Sequence, residues 1–414
     1  MFDQVEKAPP DPILGLTEAF RSDSNPQKVN LSVGVYKDAG GMTPVLESVK
    51  EAERRILDAQ KSKSYVSPLS GEASYTTAVR SMIFGPGNSI DREKRAVTAH
   101  TPGGTGALRL AGDYLRQNHE GATIWMTDPT WANHPAVFDA AGVSTRRYGY
   151  FDSATGSLDF DHMMSDLDAV PAGDVVLLHG CCHNPTGVDP DPQQWTQIGQ
   201  LLAARKAVPL VDLAYQGFAE GLEQDVAGVR NLCAQVPQLM ISSSFSKNFA
   251  LYCDRVGALT IVADAAGTAG NVLSQLKVCI RRSYSNPPAH GSSIVTTILD
   301  DAQLRKRWEG ELAEMRDRIN AMRRLLAQGL DERGVRLAES GNAFIERQKG
   351  MFSMTGLQKQ HVEALRSEHS VYVVASGGRI NVAGLTEANI GGVCNAFATV
   401  LGAKKTVAGL KTED

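Results

Sequence analysis

One lysine stands in a chemically suggestive setting. In "ISSSFSKNFALYCDRVG", residues Ile241 to Gly257, an apolar run leads into a serine cluster around Lys247, and Arg255 follows eight residues later. A protonated lysine is a poor nucleophile, but its free amine forms a Schiff base with a carbonyl compound. Ser244 and Arg255 supply a hydroxyl and a fixed cation suited to a phosphate. A second phosphate-binding pattern lies upstream in "TPGGTGALRLAGDYL", where Gly103, Gly104 and Thr105 open a helix whose first amides and positive dipole end attract anions. The pattern is neither GxGxxG nor GxxxxGK[ST], so a dinucleotide or a nucleoside triphosphate finds little support.

Three further segments carry polar groups just after apolar runs. "GCCHNPTG" offers Asn184 as a donor to an oxygen. "VDLAYQGFAEG" offers Asp212 to hold a positive ring nitrogen and Tyr215 to donate to a phenolate-like oxygen. "DPTWANH" offers Trp131 as a flat surface for a ring. A buried aspartate is costly alone, so Asp212 needs a partner. Taken singly, Asn184 reads equally as a turn residue, Asp212 as a helix cap, Ser244 as a turn closer, Arg255 as a surface ion pair and Trp131 as core. Cys181 and Cys182 beside His183 hint at a metal, but no second cluster completes four ligands, and thiols packed under a sheet are the expectation.

The elements that must position these groups can be read from periodicity. "AVTAH", "ATIWMTDP", "DVVLLHG", "VPLVDLAY", "QLMISSS" and "VGALTIV" read as strands; "GALRLAGDYLRQNH", "DPQQWTQIGQLLAARK" and "AAGTAGNVLSQLKVCIRR" read as helices between them. This alternation predicts a mostly parallel sheet covered on both faces by helices, with ligand groups gathered at one edge. The long helical pattern "DAQLRKRWEGELAEMRDRINAMRRLLAQGL" bridges into a terminal α+β portion made of "MFSMTG", "QKQHVEALRSEH" and "VYVVASGGRINVAG". "VNLSVGVYKDAGG", near the start, has strand and turn signals that complete it.

The chain has 414 residues, long enough for more than one domain. A net charge of -4 gives no reason to expect nucleic acid or an acidic membrane surface as a partner. Six cysteines are too sparse for a disulfide scaffold. The start "MFDQVEKAPPDP" lacks a signal-peptide pattern, and no run approaches the roughly 20 apolar residues of a membrane helix. A cytoplasmic location is the expectation.

From "DPILGLTEAFR" through "NLSVGVYKD", "GGTGALR", "DPTWANH", "CCHNPTG", "DLAYQGFAEG", "SFSKNFALYCDRVG", "YSNPPAHG" and "MFSMTG" to "VYVVASGGRINVAG", the sequence resembles the class I pyridoxal phosphate aminotransferases, specifically the bacterial aspartate and aromatic amino acid group. The resemblance implies fold type I: a seven-stranded, mostly parallel sheet in a large domain at 44–314, a smaller α+β domain at 13–43 and 315–414, and an N-terminal arm at 1–12. It implies pyridoxal 5'-phosphate as cofactor, no metal, and ping-pong transamination through a Lys247 aldimine. Asp212 would pair with the ring nitrogen, Tyr215 and Asn184 with the ring oxygen, and Trp131 would stack on the ring. Gly104, Thr105, Ser244 and Arg255 would hold the phosphate, helped by Tyr65 of a neighbouring subunit.

For substrate, the resemblance implies Arg379 at the α-carboxylate, Arg281 of the other subunit at a distal carboxylate, and Gly34, Trp131 and Asn184 around the bound molecule. A homodimer with shared active sites follows. The expected substrates are amino acids and 2-oxo acids: aspartate and aromatic amino acids with 2-oxoglutarate, with narrow aspartate specificity as the alternative. Gly103 departs from a serine common in relatives, Phe245 from tyrosine and Ala250 from glycine. Val35, Lys37, Thr43, Thr105 and Asn286 look aspartate-type, whereas Phe245, the Arg281–Arg282 pair and Ser64 look aromatic-type or depart from the aspartate pattern.

Overall fold

A computed structural model describes residues 2–7 and 14–402; of the expected arm, residues 1 and 8–12 lie outside the described residues. The chain divides into two units: Met1–Met42 with Ser153–Gly156 and Arg318–Asp414, and Thr43–Asp152 with Ser157–Asp317.

The second unit holds a seven-stranded sheet. In chain order its strands are β1 (Ala96–Pro102), β2 (Ile124–Asp128), β3 (Thr145–Gly149), β4 (Val175–His179), β5 (Val208–Leu213), β6 (Leu239–Ser244) and β7 (Val256–Val262). Their spatial order is β1-β7-β6-β5-β4-β2-β3. The run from β6 through β5, β4 and β2 to β3 is parallel, while β7 is antiparallel to both neighbours. The reversal has a local cause. Phe245–Arg255 is shorter than the dozen or so residues a helical crossover requires, so the chain can only turn back. Lys247 and Arg255 both sit on that short return.

Strands β4, β6 and β7 are buried along their whole length, as a sheet covered on both faces requires. Helix α1 (Gly103–Asn118) lays Leu108, Ala111 and Leu115 into the core that Ile124, Leu177, Leu210 and Leu259 complete. Each such aliphatic side chain contributes about 1.5–3 kcal/mol by leaving water, so Leu177→Ala should cost about 2–5 kcal/mol. Helix α2 (Pro192–Arg205) starts where its residues dictate: the Asp191 carboxylate accepts from the Gln194 amide at 2.8 Å, Gln194 Oε1 accepts from the Asp191 amide at 2.9 Å, and proline opens the first turn. Helix α3 (Ala266–Ser283) packs Leu276 and Ile280 into the same core.

Periodicity alone reads six of the seven strands. The missed one, β3, is an edge strand whose central Arg146 and Arg147 are exposed, so it carries no apolar run.

The long pattern folds as helix α4 (Ala302–Asp331). In the first unit, Val29–Asn30 pairs in parallel with Val371–Tyr372, and Phe352–Met354 pairs antiparallel with Arg379–Asn381. The buried Arg323 guanidinium donates to the carbonyls of Ile345, Gly350 and Phe352, pinning that second pair. Only two residues of "VNLSVGVYKDAGG" form a strand. Leu31 still bonds to backbone, its amide donating to Tyr372 O at 2.9 Å and its carbonyl accepting from the Asn381 amide at 2.7 Å, but past it a side chain takes over at two carbonyls: Asn381 Nδ2 donates to Val33 O at 2.7 Å and to Val35 O at 2.8 Å. Among the described residues no helix is long and apolar enough to cross a membrane.

Candidate active site

At the carboxyl edge of the parallel strands lies a cavity of about 200 Å³. Gly104, Thr105, Trp131, Asn184, Asp212, Tyr215, Ser244, Lys247 and Arg255 all line it. Topology explains the gathering: parallel strands end on the same side, these residues sit at or past such an end or open the helix after it, and Arg255 precedes the antiparallel β7, which starts at that edge.

Lys247 faces this cavity with its ammonium 5.2 Å from the centre of the Tyr215 ring. Burial pushes its pKa down from 10.5 to about 8; the Asp212 carboxylate acts in the opposite direction and loses, while the positive charge of Arg255 adds to the fall. At pH 7 about a tenth of this lysine is then free amine, roughly a few hundred times more than for an ordinary lysine, and the free amine is what forms a Schiff base.

Asp212 remains ionised. Burial raises its pKa, but the hydrogen bond from His134 and the positive charge of neighbouring groups outweigh that, and the net shift is downward. His134 Nε2 lies 3.1 Å from Asp212 Oδ2, and His134 Nδ1 lies 2.8 Å from Thr130 Oγ1. Thr130 Oγ1 in turn lies 3.3 Å from His179 Nε2, and His179 Nδ1 accepts from the Asn184 amide at 3.4 Å. Burial drives the His179 pKa down to about 3, so this imidazole stays neutral. The partner that Asp212 requires is therefore supplied partly by the chain. Sequence reasoning missed His134, although it stands three residues after Trp131, because nothing local announces a contact with a residue 78 positions away.

The phosphate-type end of the cavity is shaped by absent side chains. A Cβ at Gly103, whose φ is +76°, would lie 2.4 Å from Arg255 Nη2; one at Gly104 would lie 2.9 Å from Ser244 Cβ. The first turn of α1 has neither a capping side chain nor an acid, leaving its amides for an anion. Arg255 reaches this point from a left-handed backbone, φ 56°, and its Nη1 donates to Ser246 Oγ at 3.2 Å and Tyr252 O at 3.1 Å. Ser246 and Tyr252 also line the cavity and were not singled out from sequence. The donor set fits a phosphate at one end, a protonated ring nitrogen at Asp212, and a carbonyl carbon near Lys247, which is the outline of pyridoxal phosphate.

Other expected site residues lie elsewhere. Tyr65 is 89% exposed and Arg281 is exposed at the end of α3; neither lines the cavity. Gly34 and Arg379 belong to the first unit, where they meet around one ring. Arg379 is buried, its guanidinium 4.4 Å from the centre of Phe352 and bonded to Ser32 O, and a Cβ on Gly34 would come within 2.7 Å of Phe352 Cζ. Cys181 and Cys182 lie close to Asp225. That carboxylate accepts from the amides of Gly217, Ala219, Glu220 and Gly221 at 2.7–3.2 Å, which occupies its lone pairs. His183 bonds instead to Thr186 and Thr127.

The chain is similar over nearly its full length to characterised proteins. It is 49% identical to the aspartate aminotransferase of Escherichia coli K12, spanning 97% of this chain and 100% of the relative. It is 45% identical to the aromatic-amino-acid aminotransferase of Pseudomonas aeruginosa, spanning 96% and 98%. A crystal structure of the aromatic-amino-acid aminotransferase of Burkholderia pseudomallei, covalently bound to pyridoxal phosphate, superposes with a TM-score of 0.93 at 46% identity, covering 97% of this chain and 99% of that one. The family model for aminotransferase class I and II matches residues 26–397. Cavity, fold and similarity agree, and the chain belongs to the class I and II aminotransferases, enzymes that work with pyridoxal phosphate.

Proposed function

We propose that this enzyme transfers the amino group of aspartate and of aromatic amino acids to 2-oxoglutarate, by alternating release of a 2-oxo acid and uptake of another. The observation that carries the reading is Lys247, buried with its pKa lowered to about 8, in a cavity that also holds the ionised Asp212 and the Gly103–Gly104–Arg255 cradle. Relatives named for aspartate and for aromatic amino acids, at 49% and 45% identity, support both substrate classes.

When bound, pyridoxal phosphate supplies an aldehyde that condenses with amines and a ring that accepts carbanion charge. The chain does the rest. Arg255, Ser244, Thr105 and the amides at Gly104 hold the phosphate. Asp212, kept ionised by His134, holds the proton on the ring nitrogen. Tyr215 and Asn184 donate to the ring oxygen, and Trp131 walls the ring. Lys247 Nζ takes the proton from the substrate α-carbon and returns it on the other side of the transfer, acting as base and then acid. Arg379 grips the α-carboxylate through its two-pronged guanidinium beside the Gly34 loop.

Tyr65 and Arg281 serve the pocket of a second copy, Tyr65 at the phosphate and Arg281 at the distal carboxylate of a dicarboxylic substrate. Their exposure away from this chain's own cavity supports that assignment. The working form is then a homodimer, and two inactive variants lacking different halves of a site should regain activity when subunits exchange. An active monomer on ultracentrifugation would refute it. The cytoplasm is the proposed compartment, supported by six free cysteines. We propose functional boundaries of 1–12 for an arm, 13–43 and 315–414 for a small domain, and 44–314 for the cofactor domain.

The substrate reading is tested by kcat/KM for aspartate, tyrosine, phenylalanine and tryptophan with 2-oxoglutarate. Comparable use of aspartate and the aromatic set is expected. Efficient aspartate turnover with only trace aromatic activity would replace it with a narrow aspartate aminotransferase.

A further inference from the structure

Tyr65 and Arg281 are 216 positions apart in sequence, yet a closed ring of hydrogen bonds ties the segments that carry them. After α3 the chain turns sharply: the Tyr284 and Ser285 amides both donate to Ile280 O, at 3.2 and 2.9 Å, and Ser285 takes a left-handed φ of 62°. In that turn the Ser285 hydroxyl accepts from Arg281 Nη1. The next residue, Asn286, uses both ends of its amide on one peptide. Its Oδ1 accepts from the Val66 amide at 2.8 Å, and its Nδ2 donates to the Val66 carbonyl at 2.7 Å. Val66 is buried and directly follows the exposed Tyr65.

Strand β1 closes the ring. The Tyr284 hydroxyl donates to His100 O at 3.0 Å, and the His100 amide donates to Ser70 O at 2.8 Å, four residues beyond Val66. Val66, Ser70, His100, Tyr284 and Asn286 thus form a loop in which each segment is held at two points. An amide that pairs both ways with a peptide fixes orientation as well as distance, as a strand neighbour would.

We infer that Asn286 is a positioning residue that sets the spacing of Tyr65 and Arg281, so that a phosphate donor and a carboxylate receptor are delivered as one preorganised unit. This rests on the roles proposed above for those two side chains. If the segments that carry them moved independently, each would incur a separate backbone-ordering cost on meeting its ligand. Anchoring their backbones to each other and to the sheet edge removes part of that cost before anything binds.

The holoenzyme with Asn286→Ala provides the test, read in two independent ways: the rate of pyridoxal phosphate loss into a trapping solution, and KM for aspartate against KM for phenylalanine. Losing a two-point clamp should speed cofactor loss and raise the aspartate KM, each by about 3- to 10-fold, with a smaller change for phenylalanine, which has no distal carboxylate. Tyr284→Phe, which cuts the tie to His100, should move both readouts the same way and decides the matter if Asn286→Ala does not fold. Tyr65→Phe alone should affect mainly cofactor loss, and Arg281→Ala mainly aspartate. The inference is overturned if the folded variants move one readout without the other, shift both substrates equally, or move neither. If Tyr65→Phe leaves cofactor loss unchanged, or Arg281→Ala leaves the substrate ratio unchanged, the underlying assignment fails and the inference with it.

Discussion

The cavity around Lys247 and the edge that bears Tyr65 and Arg281 lie in the same unit and are built on opposite terms. In the cavity the polar groups lean on one another within the chain: Asp212 on His134, His134 on Thr130, and Arg255 on Ser246 and Tyr252. At the edge, Tyr65 and Arg281 stand in solvent; among the described residues the Arg281 side chain bonds only to Ser285 of its own turn, and Asn286 ties that turn to the Val66 peptide beside Tyr65. The difference separates two tasks. Reaction chemistry needs shifted pKa values, which require burial and therefore a completed interior. Substrate choice, the role proposed for the edge, needs a side chain able to meet different ligands, which favours exposure.

Breaking the cavity should have the largest effect. Lys247→Ala removes the amine proposed to attach the cofactor and move the proton, so kcat should fall by about 1,000-fold or more. Steady-state assays check this, and mass spectrometry after borohydride reduction of the native protein should find the cofactor on Lys247 and on no other lysine. Asp212→Ala should follow, with the rate of proton abstraction down about 100-fold or more in single-turnover measurements and much less change in substrate affinity. Near-normal single turnovers would remove Asp212 from its role.

The edge should respond selectively. Arg281→Ala should lower kcat/KM for aspartate by about 100-fold, the size expected for losing a charge-assisted carboxylate pair, and hardly alter that for phenylalanine. Arg379→Ala should damage both. Equal losses on both substrates for Arg281→Ala would erase the division between the two regions.

The smallest effects concern tuning. His134→Ala leaves Asp212 buried without its donor, so the absorbance of bound cofactor should titrate at altered pH, with kcat reduced about 10-fold. For the cofactor-free chain, uptake of pyridoxal phosphate should accelerate as pH rises through about 8, where Lys247 loses its proton, and level off above. The sign for stability is the same: an unfolded lysine keeps its proton to about 10.4, so between about 8 and 10.4 the unfolded chain binds more protons and folding gains as pH rises. Uptake that slows with pH across this window would contradict a buried, neutral lysine.

How much of this was legible in the sequence depended on range. Lys247, Asp212, Tyr215 and Asn184 stand at or just past the end of an apolar run, Arg255 directly precedes the one that returns beside it, and parallel strands force such positions to one edge, so the membership of the cavity could be read from local pattern. Strand β3 could not, because its exposed arginines carry no apolar signal. His134 was invisible for a different reason: its importance is one contact with Asp212, made only when β5 is laid beside β4 and the helix after β2.

By itself, then, the sequence determined the order and type of the buried strands, the uncapped opening of α1 and the place of Lys247 just past β6, since strand burial and helix ends follow from neighbours a few residues apart. The tertiary structure alone decided three things: that Lys247 loses its proton near pH 8, that Asp212 keeps its charge through His134, and that Asn286 clamps the Val66 peptide next to Tyr65. Each depends on a partner distant in the chain, the first two as a balance of that partner against desolvation, and such pairings exist only once the interior has closed.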